Sequence, residues 1–348
     1  MKTMSSASRR VAASGLARVL LAAGAGAVVA WAVIPSPARW AASAQSDSQP
    51  GVIATHQARP ANTPPPGVSS SVASARRTAA TAWDKATVPA LRHIYWILLE
   101  DHNLVEVAAS GDAPYLASLI TRSALAVNYH AVASISLPNY IALLGGSTYG
   151  ITDSAVHYFD AANLMDQIED HGRTWAVYAQ NVPTGCFLGE TAANGPDGPG
   201  TYVRRHEPAV SFTSIVGDPA RCARITNLSH FQPGLSDFSL IVPNLCNGMH
   251  ECGVGVGDRF LRRLIQSIRT SPSWSADDAI FLTFDEGGSS TRAGLLVFSG
   301  AARAGTRSTT WHNHYSLLRT VQDAWRLGCL EMSCTASPLG ELFRSGAR

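Results

Sequence analysis

Two apolar runs, each followed directly by acidic residues, constrain the fold of this chain most. Residues 93–99 (HIYWILL) and 279–284 (AIFLTF) are largely apolar, contain aromatic and β-branched residues, and have the length of strands. Apolar runs without alternation are typical of strands buried on both faces of a parallel sheet. The first run ends at Glu100 and Asp101, and the second ends at Asp285 and Glu286. Because ligands bind at the carboxyl ends of such strands, one acidic site is predicted there.

The remaining segments fit the same α/β class. Helices are predicted over residues 114–122, 162–171, 257–269 and 313–327, and strands over 124–132, 175–178, 238–242 and 295–298. Residues 181–200 are rich in Gly, Pro and Asn, which predicts a long surface loop. A short basic cluster follows at residues 202–206 (YVRRH), and it is either solvated or in contact with an anionic substrate.

The start of the chain has the pattern of an export signal. Lys2 and three arginines precede an apolar run at residues 19–34, and Ala-Ser-Ala at 42–44 supplies a cleavage pattern, so residues 1–44 are predicted to be a signal peptide of a secreted protein. An uncleaved anchor is the alternative, and both the general secretory and the twin-arginine routes stay open. Residues 45–89 are predicted to be a disordered Ser/Ala/Pro-rich linker, and 90–348 the folded domain. No later stretch is apolar for long enough to cross a membrane.

Charge gives no reason to expect a nucleic-acid partner. The chain has 27 basic and 25 acidic residues, and its first 44 residues hold five of the basic residues and none of the acidic ones. The exported part therefore carries 22 basic and 25 acidic residues. A slightly acidic balance of this kind does not favour binding to phosphate backbones.

Six cysteines lie in the exported part of the chain. An even count outside the cytoplasm indicates disulfides, and short spacings favour Cys246 with Cys252 and Cys329 with Cys334, which leaves Cys186 with Cys222. A zinc site is the alternative, but no paired C-x-x-C spacing is present.

The stretch at residues 134–150 (SISLPNYIALLGGSTYG) offers a nucleophile. Pro138 suits the first turn of a helix, which the glycine pair at residues 145 and 146 would end. Ser136 then lies at the helix N-terminus, where unpaired N–H groups favour an anion. Ser136 is either a simple helix cap or a nucleophile.

Together these residues indicate phosphoester chemistry. Carboxylates of Glu100, Asp285 and Glu286, with the imidazoles of His250 and His314, are ligands for a hard divalent cation of unspecified identity. Such a cation beside a serine would polarise a phosphoryl oxygen, and helix N–H groups with the Asn139 side chain would stabilise the growing charge. A serine-hydrolase triad is the competing scheme, but no G-x-S-x-G sequence is present.

Five motifs resemble those of one family when taken in order. They are Glu100-Asp101-His102, Ser136-Leu137-Pro138-Asn139-Tyr140, Asn247-Gly248-Met249-His250, Phe284-Asp285-Glu286 and Asn313-His314-Tyr315. Over residues 91–343 the chain resembles bacterial phosphoesterases of the acid phosphatase and phospholipase C type, within the alkaline phosphatase superfamily. It is most similar to short secreted acid phosphatases of the phosphatidylinositol 3-phosphatase type. The resemblance implies an alkaline-phosphatase-like three-layer α/β sandwich with a mostly parallel central sheet covered by helices.

The resemblance also implies roles for individual residues. Ser136 would be the nucleophile, Asn139 would contact the phosphoryl group, and His250 and His314 would line the phosphate site or a second metal position. Glu100 and Asp285 would bind the metal, with Glu286 a ligand or a partner of one. The implied substrate is a phosphate ester, phospholipids and phosphoinositides included. The substrate-binding set would be His206, Asn247 and Asp101, and Asp258 matches a further recurring position.

Two departures from the family pattern affect the expected activity. The family usually has Asn where this chain has Asp101, and Asp where it has Gly248. A carboxylate at residue 101 would repel a phosphate unless it were protonated or bound to metal. The sequence therefore predicts a secreted phosphomonoesterase that forms a phosphoserine at a metal site. A phospholipase C that cleaves phosphodiester lipids and a non-catalytic binding protein are the two alternatives.

Overall fold

The computed structural model describes residues 88–344 and contains one large mixed sheet. Its strand order is β11-β2-β10-β9-β1-β8-β4-β7. The strands of this sheet are β1 (Ile94–Leu99), β2 (Ala124–Ala126), β4 (Trp175–Ala179), β7 (Ile225–Thr226), β8 (Phe238–Val242), β9 (Ala279–Phe284), β10 (Leu295–Ser299) and β11 (Arg307–Ser308). Most neighbouring strands are parallel, and β10 runs antiparallel to both β9 and β2. The expected mostly parallel sheet is confirmed.

The two apolar runs are adjacent in the middle of the sheet. Strands β1 and β9 pair in parallel from Ile94 opposite Ala279 to Leu99 opposite Phe284. Every residue of both strands is buried, because helices cover both faces of the sheet. This register places the residues that follow Leu99 and Phe284 side by side at the carboxyl ends of these two strands.

Helices form the two outer layers of the sandwich. They are α1 (Leu104–Ala109), α2 (Pro114–Ile120), α3 (Ser136–Gly145), α4 (Leu164–Asp170), α5 (Thr213–Val216), α6 (Pro219–Cys222), α7 (Val254–Arg269) and α8 (His314–Trp325). Helix α2 packs against α7, and α3 packs against α8. The predicted helices are confirmed with small shifts at their ends, and the three-layer α/β class is confirmed.

Asp258 joins the α2–α7 pair. Its carboxylate accepts the backbone N–H of Tyr115 at 3.1 Å and that of Leu116 at 2.8 Å. Both donors belong to the first turn of α2, whose N–H groups have no partner within the helix. Asp258 therefore caps a helix, which explains a buried acid on the inner face of α7.

The Gly-rich segment is better ordered than the sequence predicts. Residues 181–200 were expected to form a loop, but β5 (Thr191–Gly195) and β6 (Gly198–Val203) form an antiparallel hairpin within and beyond it. Asn181 fastens this hairpin, because its side-chain amide donates to the carbonyls of Gly198 at 3.1 Å and Gly200 at 2.8 Å. The composition of the segment, which is typical of a loop, concealed this hairpin.

All three expected disulfides are present. They join Cys186 to Cys222, Cys246 to Cys252 and Cys329 to Cys334.

A second short ladder pairs β3 (Tyr129–His130) with β12 (His312–Asn313).

The predicted signal peptide and nearly all of the predicted linker lie outside residues 88–344. Within that range no helix has the length and apolar character needed to cross a lipid bilayer.

Candidate active site

Ser136 is the first residue of α3, which begins where the sequence predicted. Ile135 precedes it in an extended conformation and contributes no side-chain cap. The helix ends as predicted, since Gly146 takes a left-handed conformation with φ of 73°. Ser136 itself is 8% exposed. Its hydroxyl therefore lies at a helix N-terminus whose first N–H groups can bind an anion.

Asp285 follows β9 and has one satisfied and one unsatisfied carboxylate oxygen. Its Oδ1 accepts the backbone N–H of Asp101 at 3.1 Å and that of Glu286 at 2.7 Å. Its Oδ2 is buried and has no hydrogen-bond partner among the described residues. Since buried acceptors in folded proteins are almost always paired, this oxygen is suited to a ligand.

Three carboxylates converge at this position. One oxygen from each of Asp101, Asp285 and Glu286 lies within 4.8 Å of the other two. Asp101 reaches the cluster from the end of β1 in a left-handed conformation with φ of 56°, which is uncommon for a residue other than glycine. The three oxygens and the unpaired Asp285 Oδ2 fit a hard divalent cation. Asp101, expected to bind substrate, thus lies among the candidate metal ligands.

Glu100 lies beside this carboxylate cluster but contacts other groups. The Tyr140 hydroxyl donates to its Oε1, and its Oε2 is 3.0 Å from Nε2 of His206. All three residues are buried, and the His206 ring stacks on Tyr140 with centroids 5.3 Å apart. Glu100 is therefore hydrogen-bonded to Tyr140 and lies against His206. Its Oε2 has no hydrogen-bond partner among the described residues, and Glu100 is not one of the three converging carboxylates.

The carboxyl groups are difficult to ionise in the absence of a cation. Burial raises the pKa of Asp285 to about 7 and that of Glu286 to about 8, and nearby acids add to both shifts. Burial, together with the charge of Asp285, raises the pKa of Glu100 well above its usual value. The Ser136 hydroxyl lies close enough to Asp285 to act in the opposite direction and lower the pKa of its carboxyl. A cation in the cluster would stabilise the ionised forms.

His314 is held through both ring nitrogens. It is fully buried, its Nε2 is 2.6 Å from the Asp285 carbonyl oxygen, and its Nδ1 is 2.8 Å from the Tyr129 hydroxyl. Burial lowers the pKa of His314 to about 4, so the imidazole is neutral. The Nε2–H then donates to the carbonyl, and Nδ1 accepts from the tyrosine. These contacts hold Asp285 in place, and the expected place of His314 beside the phosphate stays a prediction.

Asn139 is hydrogen-bonded to its own loop. Its side-chain oxygen accepts the N–H groups of Val132 and Ala133 at 2.9 Å each. Its NH₂ group donates to the carbonyls of Ala133 at 3.0 Å and Ile135 at 3.1 Å. The amide thus holds the loop that leads into Ser136, and its expected contact with a phosphoryl group stays a prediction.

The two remaining predicted residues lie near the cluster or behind it. His250 is partly exposed, and its Nε2 is 3.4 Å from Oδ2 of Asp101. Asn247 donates through its side chain to Gln180 at 3.0 Å, so its amide supports the turn before His250. Neither side chain belongs to the cluster of Asp101, Asp285 and Glu286.

Tyr140 is the site residue to which sequence reasoning assigned no role. It lies four positions after Ser136, so both side chains share one face of α3. Burial and the neighbouring acids raise the pKa of Tyr140 well above its usual value, which keeps the hydroxyl a donor to Glu100. The spacing within SLPNY was the available signal.

Comparison with known proteins agrees with this geometry. The Phosphoesterase family profile matches residues 79–328. The chain belongs to the phosphoesterase family. The chain is 28% identical over 254 residues to an acid phosphatase of Aspergillus fumigatus, covering 69% of this chain and 56% of the relative. It therefore spans about half the length of that phosphoesterase.

A shorter relative aligns over most of its length. It is a phosphatidylinositol-3-phosphatase of Mycobacterium tuberculosis, which is 26% identical over 264 residues, or 74% of this chain and 85% of the relative. A solved structure concerned with glycosaminoglycan metabolism in Bacteroides thetaiotaomicron superposes with a TM-score of 0.51 and 10% identity. That alignment covers 74% of this chain and 82% of the solved one, and it shows a shared fold.

Proposed function

We propose that this phosphoesterase hydrolyses phosphate monoesters through a phosphoserine formed on Ser136. The observation that carries the proposal is the carboxylate of Asp285. Its Oδ2 is buried without a partner, one of its oxygens converges with those of Asp101 and Glu286, and the group lies close to the Ser136 hydroxyl. A nucleophile, an anion-binding helix end and a cation-binding carboxylate cluster are the parts that such a reaction needs.

The metal would be held by Asp101, Asp285 and Glu286. When bound, a divalent cation supplies Lewis-acid stabilisation of negative charge and favours the alkoxide form of a nearby hydroxyl. Glu100 is a further proposed ligand. It would have to leave Tyr140 or His206, or bind through the remaining lone pairs of its carboxylate.

The residues of the chain supply the rest of the reaction. Ser136 Oγ attacks phosphorus and loses its proton to solvent as the ester P–O bond breaks. The first N–H groups of α3 bind the phosphoryl oxygens. His250 is partly exposed beside Asp101, and we assign it the proton that the leaving oxygen takes up. Water then attacks the phosphoserine and gives a proton to His250, the serine oxygen takes up a proton from solvent, and inorganic phosphate leaves.

Two further features of the proposed function rest on the comparisons, the disulfides and the sequence. A named phosphatidylinositol-3-phosphatase among the relatives supports phosphoinositides as candidate substrates. Three disulfides and the predicted signal peptide support an extracellular location. Both inferences concern the whole protein, and its activity, substrate and location are all proposals.

The test uses the purified full chain with 4-nitrophenyl phosphate, with chelator and then with added divalent ions. We expect metal-restored turnover that Ser136→Ala lowers by about 10³-fold or more. The matched control is Ser267→Ala, an exposed serine on α7, which should keep its activity. Brief incubation and acid quenching should trap one phosphoryl group on the peptide that contains Ser136.

Other outcomes would contradict this function. Full activity in Ser136→Ala would overturn the phosphoserine mechanism. Faster hydrolysis of phosphatidylcholine than of the monoester would favour a phospholipase C. No turnover and no metal binding with any divalent ion would favour the non-catalytic binding protein.

A further inference from the structure

A buried arginine beside the candidate active site has no use in the proposed reaction. Arg204 is only 3% exposed, and its Nε and one terminal nitrogen have no hydrogen-bond partner among the described residues. No described carboxylate forms an ion pair with it. Burying a guanidinium without acceptors is unfavourable, because its lost hydration is not replaced. The unpaired nitrogens therefore point to an acceptor that the chain itself does not supply.

The groups around Arg204 compensate its charge only in part. Its guanidinium carbon lies 5.5 Å from the centroid of the Tyr158 ring, which is a weak and neutral partner. Glu207 is buried nearby, with Oε1 accepting the Ala209 N–H at 2.9 Å and Oε2 unpaired. Burial raises the pKa of Glu207 to about 7, so this carboxyl is only partly ionised near neutral pH.

Arg204 and Arg205 line a small cavity, which we call the Arg204 cavity. Its volume is about 80 Å³, and its other lining residues are Ser154, Val156, Glu190, Thr191 and Val203. That volume has room for a compact anion such as a phosphoryl group. Glu190 is the acid in the lining. It is exposed, and its backbone carbonyl accepts the Arg204 N–H at 2.9 Å.

The Arg204 cavity adjoins the candidate active site. Arg204–His206 form a single 3-10 turn, in which successive side chains point in different directions. His206 at the end of this turn is 3.0 Å from Glu100. Arg205 in its middle lies close enough to lower the pKa of both Glu100 and His206. This one turn thus connects the Arg204 cavity to the carboxyl ends of the central strands.

We propose that the Arg204 cavity binds a second phosphoryl group of the substrate. The enzyme would then select phosphate monoesters that carry another phosphate, either the phosphodiester of a lipid headgroup or a second monoester on a soluble molecule. This inference rests on the proposed monoesterase function. The fork of an arginine matches the geometry of a phosphoryl group, and the partner arginine adds charge at the cavity wall.

The test compares two pairs of substrates on the purified, metal-loaded full chain. One pair is fructose 1,6-bisphosphate and fructose 6-phosphate. The other is short-chain phosphatidylinositol 3-phosphate and inositol 3-phosphate. In each pair the readout is the ratio of kcat/KM for the substrate with two phosphates to that for the substrate with one.

We expect the wild-type ratio to exceed one in at least one pair and to fall about tenfold in Arg204→Gln, because a charge-assisted bidentate contact is lost. Arg205→Gln should lower it less, and Arg204→Lys should restore part of it. Arg259→Gln, which removes an exposed arginine from α7, is the control and should leave the ratio unchanged. If Arg204→Gln does not fold, as judged by its melting curve, Arg204→Lys and Arg205→Gln carry the test.

The outcomes separate this proposal from the function on which it rests. A fall confined to the inositol pair assigns the cavity to the lipid phosphodiester, and a fall in both pairs assigns it to any second phosphate. Wild-type turnover of both single-phosphate substrates with ratios near one, or ratios that Arg204→Gln does not change, would overturn the proposal and leave the monoesterase intact. Absence of all turnover would overturn the monoesterase itself.

Discussion

Two groups of acids in this molecule have opposite surroundings. On α4, Asp166 and Glu169 are neutralised within the chain. Arg221 lies 2.6 Å from Asp166, and Arg224 lies 2.6 Å from Glu169. At the end of β1 and β9, the carboxylate cluster of Asp101, Asp285 and Glu286 has no arginine or lysine in an ion pair among the described residues. The charges of the first group cancel within the chain, and the second group could hold a cation from outside.

The contrast explains why acid content alone does not identify a site. The α4 group is built from arginines on α6 and the following residues, so its charges cancel without a ligand. The cluster instead retains a buried oxygen without a partner. Burial without compensation raises pKa values, and this combination is typical of functional sites.

The largest effect that would sharpen this comparison is expected from Asp285→Asn. The amide oxygen can still accept the two backbone N–H groups, but the unpaired anionic oxygen is lost. Metal-supported turnover should fall by about 10³-fold. The melting temperature in chelator at pH 8 should equal or exceed that of the wild type, because a buried charge without a partner is removed. Steady-state kinetics and calorimetry check both parts.

The matched control is Asp166→Asn, which should behave in the reverse way. It breaks a compensated pair, so the melting temperature should fall by roughly 2–5 °C while turnover stays within about twofold. If both variants lost activity equally, the distinction between the two groups of acids would be wrong.

The pH dependence of stability should also separate the two groups. In chelator the folded chain holds protons on Asp285 and Glu286 up to pH values of about 7 and 8, whereas the unfolded chain releases them near their usual values of 3.8 and 4.5. Unfolding therefore releases protons in that window, and stability falls as pH rises from about 5 to 8, by several kcal/mol. A saturating divalent cation should flatten this slope. A melting temperature with the same pH dependence in chelator and in metal would contradict the assignment.

A smaller effect is expected from Gly248→Asp, which restores the residue usual in the family. A Cβ at position 248 would lie 3.1 Å from the Asn244 carbonyl oxygen and 3.3 Å from Cγ of Glu100. This crowding should displace Glu100 and lower kcat/KM by about tenfold, although the new residue matches the family pattern. Gly253→Asp is the control, because the space around that position is open and an acid suits a helix N-cap. Higher activity in Gly248→Asp would show that the glycine impairs the site.

The parts of the fold that the sequence predicted are those that follow from local pattern. The buried strands β1 and β9 were evident from unbroken apolar runs, and the strand-end acids followed from them. The start and end of α3 were evident from Pro138 and the glycine pair. Such features depend on residues close together in the chain, so one sequence suffices to predict them.

The parts that escaped prediction depend on contacts that local composition does not show. The β5–β6 hairpin is fastened by Asn181 and lies in a segment whose composition is typical of loops. The backbone contacts of Asn139 and His314 were not foreseen, because a polar side chain near a site can bind either a ligand or the backbone. Burial of Arg204, which distinguishes it from a solvated basic residue, is a property of the packed structure alone.

The central claim is that the carboxylate cluster binds a divalent cation beside Ser136. Its most direct test is calorimetric titration of the purified chain, first freed of metal with a chelator, with Mg²⁺, Ca²⁺, Mn²⁺ and Zn²⁺. The Asp285→Asn variant is titrated in the same way. The account predicts binding of about one equivalent or more of at least one of these ions to the wild type, and loss of that binding in the variant. Equal binding by both proteins, or none by the wild type, would contradict it.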